Sequence, residues 1–294
     1  MKQKNWLVAG LIIAAMLLLI GGYTLLSGVK EDFTQIPTNS SVENSTVYFS
    51  EDKNGVINGT ELLARFNLSF DEIPHNTNPT FKVGDKFEYV ARSPKISKKG
   101  PDYTSQSTQK ITYSVVKKEK LRGIECYVME SVNLLLINES DPMSSGRVLR
   151  QIYYISTETG KIIRFTSSEA SIKRGVEMNK KDYFADVPSE ISEVYDSIIA
   201  YSPWMLSLDD EFKMEIKRFV EDSKIERDVI KVAGRDKIKN RECYKVEKRT
   251  IGENNDVISR EIKWIDVEKR ILIKSEVYYE NLKINELEIV SELK

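Results

Sequence analysis

The chain has 294 residues, 40% of them hydrophobic, and its 44 Lys and Arg almost cancel 45 Asp and Glu, for a net charge of -1. That length supports one or two domains with a substantial core. Balanced charge without basic blocks excludes a nucleic-acid-attracting field. Gly-rich phosphate loops, Gly-x-Ser-x-Gly, His-Glu-x-x-His and Cys-x-x-Cys are all absent, so no catalytic residue, metal site or cofactor is expected.

In chain order, the first segment is uncharged from Asn5 to Val29 and nearly continuously apolar from Trp6 to Ile20. A run of about 20 such residues spans a bilayer. Lys2 and Lys4 precede it, while Lys30 is followed at once by Glu31 and Asp32, which predicts a cytoplasmic amino terminus. A cleaved signal peptide competes, but Leu25-Leu26-Ser27-Gly28 makes a poor small-residue cleavage site. Residues 1–29 are therefore read as a cytoplasmic tip and single-pass transmembrane anchor, which places the remainder at the extracytoplasmic face of the cell membrane.

Residues 30–80, rich in Thr, Asn, Ser and Pro, read as a stalk, with an edge strand or short helix as the other reading. Asn39, Asn44, Asn58, Asn67 and Asn138 each begin an Asn-x-Ser/Thr tripeptide and are the glycosylation candidates, in agreement with export. Asp52 to Glu61 has the residue types of a calcium loop, but its Gly and Glu both arrive early, so an Asn-Gly turn is the better reading. His75 is the sole histidine and cannot build a zinc site or a triad alone.

From Phe81 the texture changes to alternation. Phe87–Val90, Ile111–Val116, Cys126–Met129, Ile152–Ile155 and Ile162–Phe165 are short β-branched and aromatic runs divided by turn signals at Gly123, Asp141–Gly146 and Glu158-Thr159-Gly160. A second unit repeats this with Phe212–Phe219, Val229–Val232, Cys243–Lys248, Ile262–Ile265, Ile271–Tyr279 and Ile284–Val290. Glu125-Cys126-Tyr127 and Glu242-Cys243-Tyr244 mark the duplication, and they contain the only two cysteines. The expected fold is mainly β: a duplicated antiparallel meander, with residues 81–183 and 209–294 as its two repeats.

Residues 184–208 link them. Pro188 can open a helix, and Ile191, Val194, Tyr195, Ile198 and Ile199 then form one apolar stripe before Pro203 stops it. With Trp204, this stripe is expected to face the concave side of the sheets. Alternation places Tyr127 and Tyr244 in the core and leaves the cysteine face partly wet. Cys126 and Cys243 are open to three readings: a disulfide joining the repeats, two inert thiols, or a redox or metal role.

The run Phe81-Lys82-Val83-Gly84-Asp85-Lys86-Phe87-Glu88-Tyr89, the Gly-x-x-Cys-Tyr strand at Gly123–Tyr127, and Tyr153-Tyr154 followed by Thr157-Glu158-Thr159-Gly160-Lys161 resemble exported archaeal proteins grouped with LolA/LolB-like lipoprotein-sorting proteins. The resemblance covers residues from about 80 to 294. It implies an open half-barrel curved around a helix, with lipid or acyl chains held in the concavity and Ile191, Val194, Tyr195, Ile198 and Trp204 facing the ligand. The expected function is a membrane-anchored, extracytoplasmic binding module for a lipid or other apolar ligand. The alternatives are an envelope scaffold or adhesion protein that binds a partner protein and, further off, a carboxylate-dependent hydrolase.

Overall fold

The computed structural model describes residues 50–51, 56–58, 68–70, 73–97, 100–136, 146–174, 176–187, 198, 200–220, 224–279 and 282–293. The amino-terminal anchor expected from the sequence lies outside them. Among the described residues, no helix is long and apolar enough to cross a membrane.

Three short strands come first: β1 (Ser50–Glu51), β2 (Val56–Asn58) and β3 (Leu68–Phe70). Six follow in the first repeat: β4 (Lys86–Ser97), β5 (Gly100–Leu121), β6 (Ile124–Leu136), β7 (Gly146–Ser156), β8 (Ile162–Lys173) and β9 (Val176–Asp186). The second repeat supplies β10 (Lys213–Val220), β11 (Lys224–Ile238), β12 (Arg241–Ile251), β13 (Val257–Asp266), β14 (Leu272–Tyr279) and β15 (Leu282–Leu293). All belong to one 15-stranded sheet in the order β1-β2-β9-β8-β7-β6-β5-β4-β15-β14-β13-β12-β11-β10-β3. Pairing is antiparallel except between β2 and β9.

The repeats are therefore joined head to tail, the first strand of one beside the last of the other, in a single sheet rather than two abutting ones. Their correspondence extends to individual bonds. Arg122-Gly123 and Lys239-Asn240 both take positive φ at two-residue hairpins, the geometry of a type I′ turn. The amide of Thr157 donates to the Glu125 carbonyl as that of Val267 does to Glu242. Register shifts fall at matching places, Val115/Lys117 with Val232/Gly234 and Tyr154/Ile155 with Trp264/Ile265.

The sheet must curl. Thirteen inter-strand steps separate β2 from β3, roughly 62 Å along the sheet at about 4.8 Å each. Asn58 and Leu68, which end β2 and start β3, are joined by a stretch of chain that reaches at most about 36 Å. The segment read as a stalk thus contributes strands to both margins of the meander.

The link between repeats crosses the inside of this curl. Ile198, Ala200, Tyr201, Trp204, Met205, Leu206, Leu208 and Phe212 are buried in one core cluster with residues from both repeats. Pro203, expected to stop a helix, instead opens the 3₁₀ helix Pro203–Ser207, the one helix among the described residues. Residues 188–197 of the expected amphipathic helix lie outside those described, and Ile198, Ala200 and Tyr201 are not helical.

Hydrogen bonds to main-chain carbonyls fix the link on both repeats. The Tyr201 hydroxyl donates to the Gly160 carbonyl at 2.8 Å, the Leu272 amide to the Ala200 carbonyl at 2.8 Å, and Arg270 Nη1 to the Leu208 carbonyl at 3.1 Å. Gly160 has φ +71, and a Cβ there would collide with Leu206 Cδ1 and the Tyr201 hydroxyl. Its counterpart in the second repeat is Arg270, also at positive φ, whose side chain reaches the link instead.

Candidate functional site

Register assigns each strand's faces. Residues paired across an antiparallel ladder point to the same side. Tyr113 pairs with Ser131, Ser131 with Gln151 and Gln151 with Ser167, while Ile111 pairs with Asn133 and Asn133 with Leu149. Tyr113, Ile111 and Met129 belong to the core cluster. Ser131, Asn133, Gln151 and Ser167 therefore lie on the inward face, as a neutral polar floor. Asn133 is 8% exposed and Ser167 4%. Among the described residues, Asn133 Oδ1 and Ser167 Oγ are buried with no hydrogen-bond partner. Leaving such groups unsatisfied costs about 1–3 kcal/mol each, which marks the floor as a place where stability has been given up.

Beside the floor, Arg147 Nη1 lies 3.5 Å from Glu169 Oε1 on the same face. Met178, opposite Ser171, shares that face at the rim and is 47% exposed. The first repeat thus presents a neutral polar floor beneath a partly apolar lip.

The second repeat treats the matching positions differently. Asp228, Lys248, Thr250, Glu261 and Val277 stand where the first repeat has Ile111, Ser131, Asn133, Gln151 and Ser167. Asp228 is 3% exposed. It lies 3.2 Å from Lys248 Nζ and accepts a 2.7 Å hydrogen bond from Thr250. Lys263, also buried, is 3.5 Å from Glu261 and 6.0 Å from the Trp204 ring centroid. Here the charged groups pair with one another, although Asn285 Oδ1, opposite Val277 on the same face, is buried without a partner among the described residues.

Other buried carboxylates carry cations too. Glu247, on the outer face, is held below its ordinary pKa although burial opposes this, because Arg249 and Arg260 both bond it. Asp266 accepts from Arg241 at 2.9 Å and from the amides of Glu268 and Lys269. Among the described residues, no group of three or more His, Cys, Asp and Glu could hold a metal ion.

Of the residues expected to face a ligand, Ile191, Val194 and Tyr195 lie outside the described residues. Ile198 and Trp204 are sealed in the core, and Trp204 stacks on Phe212 at 6.0 Å. Both line the filled part of the interior. Asn39, Asn44, Asn67 and Asn138 also lie outside the described residues, and Asn58 ends β2. The floor itself went unread, although a signal existed. The alternation that buries Tyr127 and Met129 continues to Ser131 and Asn133, which are polar where the pattern calls for apolar residues.

Cys126 and Cys243 are both free and fully buried, on β6 and β12, six places apart in the sheet. In the structure the two thiols are not joined to each other, whereas a bridge would need their α-carbons about 5.5–6 Å apart. The partly wet cysteine face also gives way to a closed one. Burial raises both thiol pKa values, that of Cys243 from 9.0 to about 11. The neutral thiol is the form the fold favours, so this contribution is intact below pH 9 and is lost as pH rises through about 11. Both cysteines are expected to resist iodoacetamide at pH 8 in the native protein and to alkylate fully in urea. Mass analysis before and after unfolding checks this, and rapid native labelling would show that the sheet opens.

No family model and no curated protein matches the chain. Solved structures give distant likenesses: a protein with a YmcC-like fold from Bacteroides fragilis is 10% identical with TM-score 0.31, covering 74% of this chain and 99% of its own. A beta-barrel-like protein of the domain of unknown function DUF1849 from Brucella abortus is 9% identical with TM-score 0.40, covering 74% and 99%. A DUF1329 family protein from Desulfovibrio piger is 8% identical with TM-score 0.24, covering 72% and 85%. At these scores the functional reading is left to the chain's own residues.

Proposed function

We propose that the chain is a membrane-anchored, extracytoplasmic binding protein that holds an amphiphilic ligand on the inward face of its first repeat. One observation carries the reading: a β-walled interior, filled on one side by the inter-repeat link, keeps a buried floor in which Asn133 Oδ1 and Ser167 Oγ have no partner. Binding sites combine apolar walls with a few placed polar groups, and this floor and lip have that composition. The uncharged segment Asn5–Val29 supports a membrane location, which also sets the ligand's source close by.

The full chain, extracted gently from membranes, is expected to carry an amphiphile of discrete mass in native mass spectrometry. The reading fails if the extracted protein is empty and takes up none of a panel of membrane lipids and single-chain amphiphiles.

A further inference from the structure

We infer that the polar end of this ligand is an uncharged, hydroxyl-bearing head group, as in a glycosyl or polyol amphiphile, docked on Ser131, Asn133, Gln151 and Ser167. The inference rests on the binding reading and adds the ligand's chemistry.

The two repeats supply an internal comparison. At Asp228, Lys248 and Glu261 the pairing follows that of Ile111, Ser131 and Gln151, so the differences there are differences of side chain; the ladders themselves part company at Thr250/Ile251 and Val277/Tyr278, where the second repeat has register shifts of its own. In the second repeat charges pair at these positions, Asp228 with Lys248 and Thr250 and Glu261 with Lys263, and the one unsatisfied oxygen near them, Asn285 Oδ1, lies one strand further on, opposite Val277. In the first repeat the counterparts of Asp228, Lys248 and Glu261 are Ile111, Ser131 and Gln151. Every charge at these positions has been replaced, and the polarity that remains is neutral and incompletely bonded. A floor that needed only to be stable would be apolar or self-paired.

The type of unsatisfied atom restricts the ligand. Asn133 Oδ1 can only accept, so the ligand must donate to it. Ser167 Oγ is met by a group that donates, accepts or does both. A hydroxyl does all of this. A phosphate or carboxylate cannot donate when ionised, and either one, like an ammonium, would leave water with no opposite charge on the floor, a costly transfer. The ion pair beside the floor on the same face, Arg147 with Glu169, is neutral within itself.

Four probes test the inference by titration calorimetry below micellar concentration: octyl glucoside, octyl sulfate, octyltrimethylammonium and free glucose. Octyl glucoside is expected to bind at least tenfold tighter than the other three. Asn133→Leu and Ser167→Ala are each expected to weaken it about tenfold or more, while Thr250→Val, at the matching place in the second repeat, leaves it unchanged. Thermal melts of Asn133→Leu at or above the wild-type temperature guard against misfolding as the cause. Equal binding of the charged octyl compounds overturns the head-group assignment and leaves an apolar site standing. Equal binding of free glucose overturns the amphiphile. Unchanged octyl glucoside affinity in both floor variants overturns the location, and no binding by any octyl compound overturns the binding reading itself.

Discussion

Trp204→Ala is expected to destabilise the protein by about 3–5 kcal/mol, the usual cost of truncating a buried tryptophan. The ring is 3% exposed, stacks on Phe212 and lies near the ammonium of Lys263. Its removal opens a cavity in the link between repeats and deprives a buried cation of an aromatic face. In a unit of about 220 residues each kcal/mol moves the melting midpoint by roughly 2–4 °C, so the variant should melt at least 6 °C lower. Urea unfolding should show a lower midpoint with an unchanged slope. The result also separates two roles for the link. If Trp204 lined a ligand cavity, its truncation would reduce affinity and barely affect the midpoint. A loss below about 1 kcal/mol would therefore overturn its placement as core.

Much of this architecture was legible in the sequence because repetition and period-two alternation are read from the chain itself. All six strands of the second repeat coincide with apolar alternation bounded by turns. In the first repeat β9 escaped, since Val176-Glu177-Met178-Asn179-Lys180-Lys181-Asp182 is a charged rim strand that interrupts its ladder at Asn179, where φ is positive. The margins β1, β2 and β3 escaped because two or three residues carry no period. Alternation also misplaced the cysteines. Arg241 and Lys245 flank Cys243 and suggested a wet face, yet Lys245 lies 5.8 Å from the Trp264 centroid and 3.3 Å from Asp236. Long cationic stems of this kind roof the outer face while their charges stay in water. Of the link, only its end can be compared: Pro203, read as a helix stop, opens the 3₁₀ turn Pro203–Ser207, because a proline that cannot continue a helix is well suited to begin one.

The largest test of the diverged repeats is Asp228→Leu, which is expected to cost about 3 kcal/mol. Removing one member of a buried ion pair strands the other, at about 3–5 kcal/mol. The lower figure applies because the Lys248 side chain keeps 18% exposure. The Thr250 hydroxyl loses its acceptor in the same step. The double variant Asp228→Ile/Lys248→Ser installs the pair that the first repeat already has at Ile111 and Ser131, in the same register and the same sheet. It should recover most of the loss, because no charge is left stranded and the first repeat shows that the backbone accepts these side chains. Urea midpoints for Asp228→Ile, Lys248→Ser and the double variant give the coupling energy directly, and a value near zero would mean that Asp228 and Lys248 do not close the second floor together. The double variant should also leave Thr250 as a half-buried hydroxyl without its carboxylate, a milder form of the condition found at Ser167. If unsatisfied neutral polarity is what makes the first floor a binding surface, the second floor should then acquire weak affinity for octyl glucoside that the native second repeat lacks, measured in an Asn133→Leu background where the first floor is silent.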